Sequence, residues 1–194
     1  GGKGIVLKST DGGQNWSFQT SGTTNALYCV HFTDSQTGWV SGVNGTLLRT
    51  TNGGINWNAQ TSGSTNFLSG IYSINGQDAW AVGETGSILK TVNGGADWAV
   101  LSSGISNWLY SVHFTDVQTG WAVGPTGTIL KTANGGANWV KQTSGTNSAL
   151  LSVHFTDAQT GWAVGGECTI LKTVNGGANW AIITAGCASL QSVH

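Results

Sequence analysis

The chain has 194 residues, of which 39% are hydrophobic, 8% are charged and ten are Trp, with a formal net charge of -1. This apolar fraction predicts a folded core, while near-neutral charge and a single arginine, Arg49, argue against nucleic acid as a partner. The sequence lacks a run of about 18 apolar residues, so no membrane span is predicted.

One eight-residue phrase recurs every 41 residues, and it organises the whole sequence. The copies are STDGGQNW (9–16), TTNGGINW (50–57), TVNGGADW (91–98), TANGGANW (132–139) and TVNGGANW (173–180). Around each copy, short runs rich in Val, Ile, Thr, Trp and Phe alternate with clusters of Gly, Asn, Asp and Ser. Residues 109–149 show the pattern in full, with LYSVHF, GWAVG, GTILKT and NWVKQT. This spacing predicts four strands per repeat and an all-β chain.

A four-stranded unit of about 41 residues cannot bury its apolar faces alone, so neighbouring units must cover one another. We therefore predict a five-bladed β-propeller of 41-residue blades as a single domain over 1–194; a linear β-solenoid is the competing design. The predicted blades are 1–22 with 188–194, 23–63, 64–104, 105–145 and 146–187.

The first of these blades is incomplete in the sequence. Residues 1–16 match the third and fourth strands of a repeat, and 190–194 match the start of a first strand. We predict a fifth blade built from both termini and lacking one strand. Three explanations stay open: the chain is a fragment, residues beyond 194 are lost, or a neighbouring chain donates the strand.

The repeated phrase predicts a tight hairpin between the third and fourth strands. Its Asn or Asp accepts hydrogen bonds from the turn, its two glycines supply positive φ, and its Trp folds over the hairpin. A calcium loop is the rival interpretation, but four of the five copies carry neutral Asn. The structural residues are Asp11, Asn52, Asn93, Asn134, Asn175, Trp16, Trp57, Trp98, Trp139 and Trp180.

The phrase resembles the Asp-box, or BNR, repeat S/T-x-D-x-G-x-x-W. The longer pattern GWAVGxxGTILKTxNGGxxW looks like the repeats of the photosystem II stability and assembly factor family, which has many relatives among bacterial secreted proteins. The resemblance implies a β-propeller but leaves activity open, since Asp-box propellers include sialidases, xyloglucan hydrolases, sorting receptors and non-catalytic assembly factors.

Catalysis is not expected. Sialidases of this fold hold a carboxylate with three arginines, whereas this chain has one. Other glycosidases need two carboxyl groups about 5–9.5 Å apart. Most acidic residues occupy recurrent turn positions, and only Glu84 and Glu167 lie at turns where the repeats differ, two blades apart.

Two other recurring features have structural interpretations. The phrase HFTD, with its His and Asp on opposite strand faces, predicts a hydrogen-bonded His and a turn-capping Asp rather than a metal site; a ring of histidines around the channel is the alternative. The cations Lys8, Arg49, Lys90, Lys131 and Lys172 precede each box, and their stems are expected to lie beside Trp, with an acidic partner as the alternative. No metal or other cofactor is predicted.

Binding residues are expected where the repeats diverge, on the face formed by second-to-third-strand turns and fourth-to-first-strand loops. The candidates are Trp108, Phe67, Glu84, Glu167, Asn44 and Lys141. Aromatic rings beside amides and hydroxyls suit a peptide or a sugar, although these side chains could instead pack against neighbouring loops.

The function predicted is a non-catalytic binding or assembly module for a protein or glycan. A lectin-like propeller is the alternative, and a structural tile in an extracellular array is the third candidate. A disulfide between Cys168 and Cys187 is predicted on the same face, which favours an extracellular or periplasmic location. Cys29 is expected to be a small buried residue within a first strand.

Overall fold

The computed structural model describes residues 1–184 and 189–194, and their regular structure is almost entirely β-strand. Two short 3-10 turns, Gly2–Gly4 and Glu84–Gly86, are the helical elements among these residues. The prediction of an all-β chain built from four-stranded antiparallel sheets is therefore confirmed.

The strands follow the 41-residue repeat. A two-stranded sheet contains β1 (Val6–Lys8) and β2 (Ser17–Gln19). The next sheet contains β3 (Leu27–Phe32), β4 (Gly38–Gly42), β5 (Leu47–Thr50) and β6 (Asn58–Gln60). It is followed by β7 (Leu68–Ser73), β8 (Ala79–Gly83), β9 (Ile88–Thr91) and β10 (Ala99–Leu101). The fourth sheet contains β11 (Ser111–Phe114), β12 (Gly120–Val123), β13 (Ile129–Thr132) and β14 (Val140–Gln142). The fifth contains β15 (Leu150–Phe155), β16 (Gly161–Gly165), β17 (Thr169–Thr173) and β18 (Ala181–Thr184).

The chain divides into two compact units. Unit 1 comprises Gly1–Ala81 and Leu89–Val100, and unit 2 comprises Val82–Ile88 and Leu101–His194. The single domain, the blade boundaries and the closure of a ring by the two termini stay predictions. In unit 2, the Leu190 amide donates to the Gly165 carbonyl at 3.0 Å.

Each unit has a core centred on a second-strand tryptophan. In unit 1, Trp39 is fully buried with Leu47 and Leu68. In unit 2, Trp121 is fully buried with Phe155 and other apolar side chains from neighbouring strands. Truncation of a buried aromatic residue costs about 3–5 kcal/mol, so these tryptophans contribute much of each unit's stability.

The Asp-box hairpins have the geometry that the sequence predicts. In the copy at 132–139, Thr132 Oγ1 donates to Asn134 Oδ1 at 3.0 Å and accepts from the Gly136 amide at 2.9 Å. Asn134 Oδ1 also accepts from the Asn138 amide at 2.9 Å. Gly135 and Gly136 have φ values of 68° and 94°, which an L side chain rarely adopts.

The first Asp box carries the only carboxylate at its central position. Backbone and side-chain hydrogen bonds from Asn15, followed by one from Ser9, lower the pKa of Asp11 to about 2. These contacts belong to the turn itself, so they account for Asp11 without a bound ion.

The tryptophans of the five boxes differ in burial, which the repeat did not predict. Trp180 is buried and packs edge-on against Phe155, with ring centroids 5.8 Å apart. Trp16 is 61% exposed. The reason is that the sheet formed by β1 and β2 has two strands in the described residues, and therefore no first-strand Phe against which Trp16 can pack.

The cysteines occupy different environments. Cys29 is a free, half-buried thiol in β3 whose Sγ lies 3.8 Å from the Ile71 carbonyl, and burial raises its pKa. Cys168 is disulfide-bonded. Its predicted partner, Cys187, lies outside the described residues, so the pairing stays a prediction.

Candidate functional site

The second-to-third-strand turns and the fourth-to-first-strand loops meet at one end of a sheet, which we call the loop end. In unit 1, the Gly45 amide of such a turn donates to the carbonyl of Asn66 in the following loop at 2.8 Å. In unit 2, the Gly127 amide makes the same 2.8 Å bond to Ser148. The Asp-box turns lie at the opposite ends of the same antiparallel strands.

The loop-end turns need glycine because turn and loop approach closely. A Cβ on Gly45, which has a φ of 65°, would lie 1.8 Å from the Ser64 carbonyl oxygen. The residue before this glycine also has a left-handed backbone conformation, with a φ of 54° at Asn44 in unit 1 and 52° at Thr126 in unit 2. This backbone holds the side chain of the variable residue at the surface, where Asn44 is exposed.

Asn44 belongs to a polar cluster in unit 1. Its Nδ2 donates to Asn25 Oδ1 at 3.4 Å, and Asn25 Nδ2 donates to Thr46 Oγ1 at 2.8 Å. The cluster therefore presents neutral donors and acceptors from two neighbouring strand ends.

The predicted glutamates lie in loop-end turns of unit 2. Glu167 is exposed, and its Oε2 accepts a 2.8 Å hydrogen bond from Ser148 Oγ. Glu84 is half-buried at the start of its 3-10 turn, and its carbonyl accepts from the Ser87 amide at 3.0 Å.

The two predicted aromatic residues pair with tyrosines that sequence reasoning missed. In unit 1, the ring of Phe67 lies 4.4 Å from that of Tyr28, which is largely exposed. In unit 2, Trp108 lies 6.4 Å from Tyr110. Tyr28 and Tyr110 occupy the same repeat position, so alignment at the 41-residue period could have identified both.

Lys141 lies beside a shallow loop-end cleft in unit 2. The cleft has a volume of about 490 Å³ and is bordered by polar residues, including Thr126, Gln142, Thr146 and Asn147. The ammonium of Lys141 is exposed beside these groups. The cleft can offer hydrogen bonds and one positive charge to a ligand.

The remaining charged candidates have structural contacts. Asp34 Oδ1 accepts from the amides of Gln36 and Thr37 at 2.6 and 2.7 Å, and these bonds lower its pKa. His31 Nε2 lies 2.8 Å from the Ser73 carbonyl, and burial lowers the pKa of this histidine. The expected turn cap and hydrogen-bonded histidine are thus present.

The cations that precede the Asp boxes also have a structural role. Four of the five cations lie over second-strand tryptophan rings at 5.1–5.4 Å, namely Arg49, Lys90, Lys131 and Lys172. Across residues 1–184 and 189–194, no group of three or more His, Cys, Asp or Glu side chains is arranged to hold a metal ion.

Several solved structures resemble this chain. "YCF48 bound to D1 peptide" has a TM-score of 0.68 and 19% identity, over 95% of this chain and 57% of that one. YCF48 from Cyanidioschyzon merolae has a TM-score of 0.69 and 22% identity, over 92% and 63%. An ancestral GH74 enzyme has a TM-score of 0.76 and 19% identity, over 94% and 28%. At these identities the likeness establishes the fold, which is a β-propeller; the number of blades stays a prediction.

The chain spans less than two thirds of the length of each of these structures. No curated protein matches it. Within the described residues, no helix has the length and apolar character needed to cross a bilayer. The family model described as "Photosynthesis system II assembly factor YCF48" matches residues 14–105 and 98–184. Because these matches cover most of the sequence, the chain belongs to this family of BNR-repeat β-propellers.

Proposed function

We propose that the chain is a non-catalytic binding module that takes a peptide segment of a partner protein at its loop end. Family membership supports a role in assembly. One similar structure, a YCF48, is described as bound to a D1 peptide. We carry over from it only the class of ligand, a peptide.

The observation that carries the proposal is the pairing of Tyr28 with Phe67. Their ring centroids lie 4.4 Å apart, and Tyr28 is largely exposed. Asn25, three residues before Tyr28, belongs to the neutral amide cluster with Asn44. An aromatic surface beside amide donors and acceptors suits an apolar side chain and the backbone of a peptide.

The acidic residues support a binding role over hydrolysis. Asp34 and Asp157 each accept hydrogen bonds from two backbone amides, so these carboxylates already stabilise turns. Glu167 is exposed, and Ser148 donates a hydrogen bond to it. A glycosidase instead uses a pair of carboxyl groups that face its substrate about 5–9.5 Å apart, rather than carboxylates engaged in turn contacts.

We further propose that the protein acts outside the cytoplasm. Cys168 is disulfide-bonded, and disulfides persist mainly in oxidising compartments. This supports an extracellular or periplasmic location.

The proposal is tested by an array of overlapping peptides from the proteins of the source organism's assembly complexes, probed with the full chain. Saturable binding to defined peptides is expected, with a loss of at least about tenfold in affinity for Phe67→Ala and Tyr28→Ala. Trp108→Ala tests the pair of Trp108 with Tyr110 in unit 2, which lies within one repeat. The controls are Ile55→Ala and Val174→Ala, which remove exposed side chains at the Asp-box ends.

A glycan array probed in parallel distinguishes the lectin-like alternative from peptide binding. Sugar-competed binding that is lost on Trp108→Ala, without peptide binding, would replace the proposal with a lectin-like function. Peptide binding that is equally weakened by Ile55→Ala and Phe67→Ala would reject the loop end as the site.

A further inference from the structure

An apolar groove lies in unit 1 between the two-stranded sheet and β3. Its volume is about 630 Å³, and its lining includes Ile5, Leu7, Val30, Phe32 and Trp57. The first four of these residues are large exposed hydrophobics. Contiguous exposed apolar surface of this kind marks an interaction site.

The residues of unit 2 at the same repeat positions, three repeats later, are buried. Val30 is 58% exposed whereas Val153 is 4% exposed, and Phe32 is 41% exposed whereas Phe155 is 3% exposed. The local sequences are nearly identical, VHFTD in both cases. The difference in exposure must therefore come from what lies over these residues.

In unit 2 the cover comes from strands β11 and β12 of the preceding sheet, and the side chain stacked on Phe155 is Trp121 of β12. The indole lies flat on Phe155, with ring centroids 3.5 Å apart and 11° between the planes. Its Nε1 donates to the Gly176 carbonyl at 3.3 Å, and Lys131 Nζ lies 5.3 Å from the ring centroid. Trp121 therefore contacts the aromatic ring of Phe155, the Gly176–Gly177 turn with its carbonyl acceptor, and the cation of Lys131.

Unit 1 presents the same partners in the same arrangement. Phe32 contacts Trp57 edge-on at 5.9 Å and 80°, as Phe155 contacts Trp180 at 5.8 Å and 89°. Gly53 and Gly54 also line the groove. Lys8 Nζ donates to the Gly53 carbonyl at 2.6 Å, and therefore lies at this turn as Lys131 does in unit 2.

The backbone beside the groove can accept another strand. Among the described residues, β1 pairs with β2 and with no other strand. In unit 2, the corresponding strand β13 pairs antiparallel with β12 on its other edge, with Trp121 opposite Lys131. An open edge next to an apolar groove is the arrangement that β-strand addition uses.

We propose that this groove binds an extended segment of the type Gly-Trp-Ala-Val from a partner. The segment pairs antiparallel with β1 and places its Trp opposite Lys8. The indole lies on Phe32, over the Gly53–Gly54 turn. Main-chain hydrogen bonds to β1 supply affinity, and the indole contacts supply specificity.

A folded second copy of the chain does not fit this requirement as well. Three of its four second-strand tryptophans, Trp39, Trp80 and Trp121, are fully buried within their units, and the fourth, Trp162, is half-buried in a strand that is paired on both edges. They could be offered to another molecule only by unfolding a sheet. A segment that has no sheet of its own is therefore the better occupant.

The test uses a fluorescein-labelled peptide TGWAVGPTG, the sequence of residues 119–127, and measures anisotropy with the full chain. Saturable binding is expected, and replacing the peptide's Trp by Ala should lower the affinity at least about tenfold. Phe32→Ala should give a similar loss. Lys8→Met, which keeps the apolar stem, should weaken binding several-fold because the ring loses its cation.

The matched control is Phe18→Ala, since Phe18 is exposed on β2 and does not line the groove. Circular dichroism checks that each variant is folded. Equal binding of the Trp and Ala peptides, or no saturable binding to the wild-type chain, would overturn the proposal. A dimer seen by light scattering that Phe32→Ala dissolves would make a second copy the occupant and would also overturn it. Tyr28 lines the groove as well as the loop end, whereas Phe67 does not line the groove. Phe67→Ala therefore tests the loop end and Phe32→Ala tests the groove, so either proposal can fail alone.

Discussion

Trp121 and Phe155 lie in face-to-face contact, with ring centroids 3.5 Å apart and an angle of 11° between their planes. Both side chains are almost completely buried. The contact joins the second strand of one sheet to the first strand of the next, and it belongs to the main apolar cluster of unit 2. One aromatic pair therefore links two adjacent repeats.

Truncating this contact should destabilise the protein strongly. Phe155→Ala should lower the free energy of unfolding by about 3–5 kcal/mol, because it leaves a cavity beside Trp121. Phe32→Ala, at the same repeat position, should cost less than about 1 kcal/mol, because much of Phe32 is already in water. Urea unfolding followed by circular dichroism measures both. Equal losses would show that Phe32 is buried in solution.

The sequence predicted local structure well and burial less well. The 41-residue period placed β11–β14 within the four predicted runs, and it identified Thr132 and Asn134 as parts of a hairpin. It could not distinguish Phe32 from Phe155, because burial depends on a covering strand that is distant in sequence. Identical phrases therefore have identical turns but different exposures.

The loop end was predicted only in part for the same reason. The turns that carry Asn44 and Glu167 follow from the repeat, and hydrogen bonds at Gly45 and Gly127 join turn to loop as expected. The pairing of Tyr28 with Phe67 was missed, because it brings together side chains from two repeats.

The Asp-box threonine should matter most where the box is buried. Thr132→Val keeps the shape of the side chain but removes the acceptor for the Gly136 amide and the donor to Asn134. The buried amide then lacks a partner, so the free energy of unfolding should fall by about 1–3 kcal/mol.

The control is Ser9→Ala in the first box, whose hydroxyl makes the equivalent bond to the Gly13 amide at 2.7 Å. Water can replace that bond, because the hairpin is exposed. Urea unfolding should show a smaller loss than for Thr132→Val. A loss as large as that of Thr132→Val would mean that exposure does not decide the cost.

The cysteines should react in a pattern that tests the predicted pairing. Cys29 is free and Cys168 is disulfide-bonded. Alkylation of the unfolded, unreduced chain should therefore modify Cys29, and alkylation after reduction should modify all three cysteines. Mass measurement counts the added groups, and peptide mapping without reductant should find Cys168 linked to Cys187. Alkylation of all three thiols before reduction would contradict the pairing.

Loss of this disulfide should lower stability. Cys168→Ser should reduce the free energy of unfolding by about 2–4 kcal/mol, because the unfolded chain regains conformational freedom. Cys29→Ser provides the matched control, since that thiol forms no disulfide. Thermal unfolding with and without reductant measures the effect, and reductant should have no effect on Cys168→Ser. A reductant effect that persists in this variant would contradict the assignment.

His154 in unit 2 should titrate below the ordinary range of histidine. His154 lies 4.7 Å from His113 by ring centroids, and its pKa is lowered first by burial and then by the charge of His194. NMR titration should therefore find the His154 pKa below about 6.5. His194→Gln should move it part of the way back, because only the smaller cause is removed. An unchanged pKa in this variant would exclude the charge of His194 as a cause.

The same shift fixes the direction of the pH dependence of stability. A histidine whose pKa is lower in the folded state binds its proton more tightly in the unfolded chain. The stabilising contribution is therefore complete above about pH 6.5 and decreases as the pH falls through that value towards the folded-state pKa. His154→Gln should flatten the decline in the free energy of unfolding between about pH 7.5 and 5.5. A steeper decline in this variant would show that the sign is wrong.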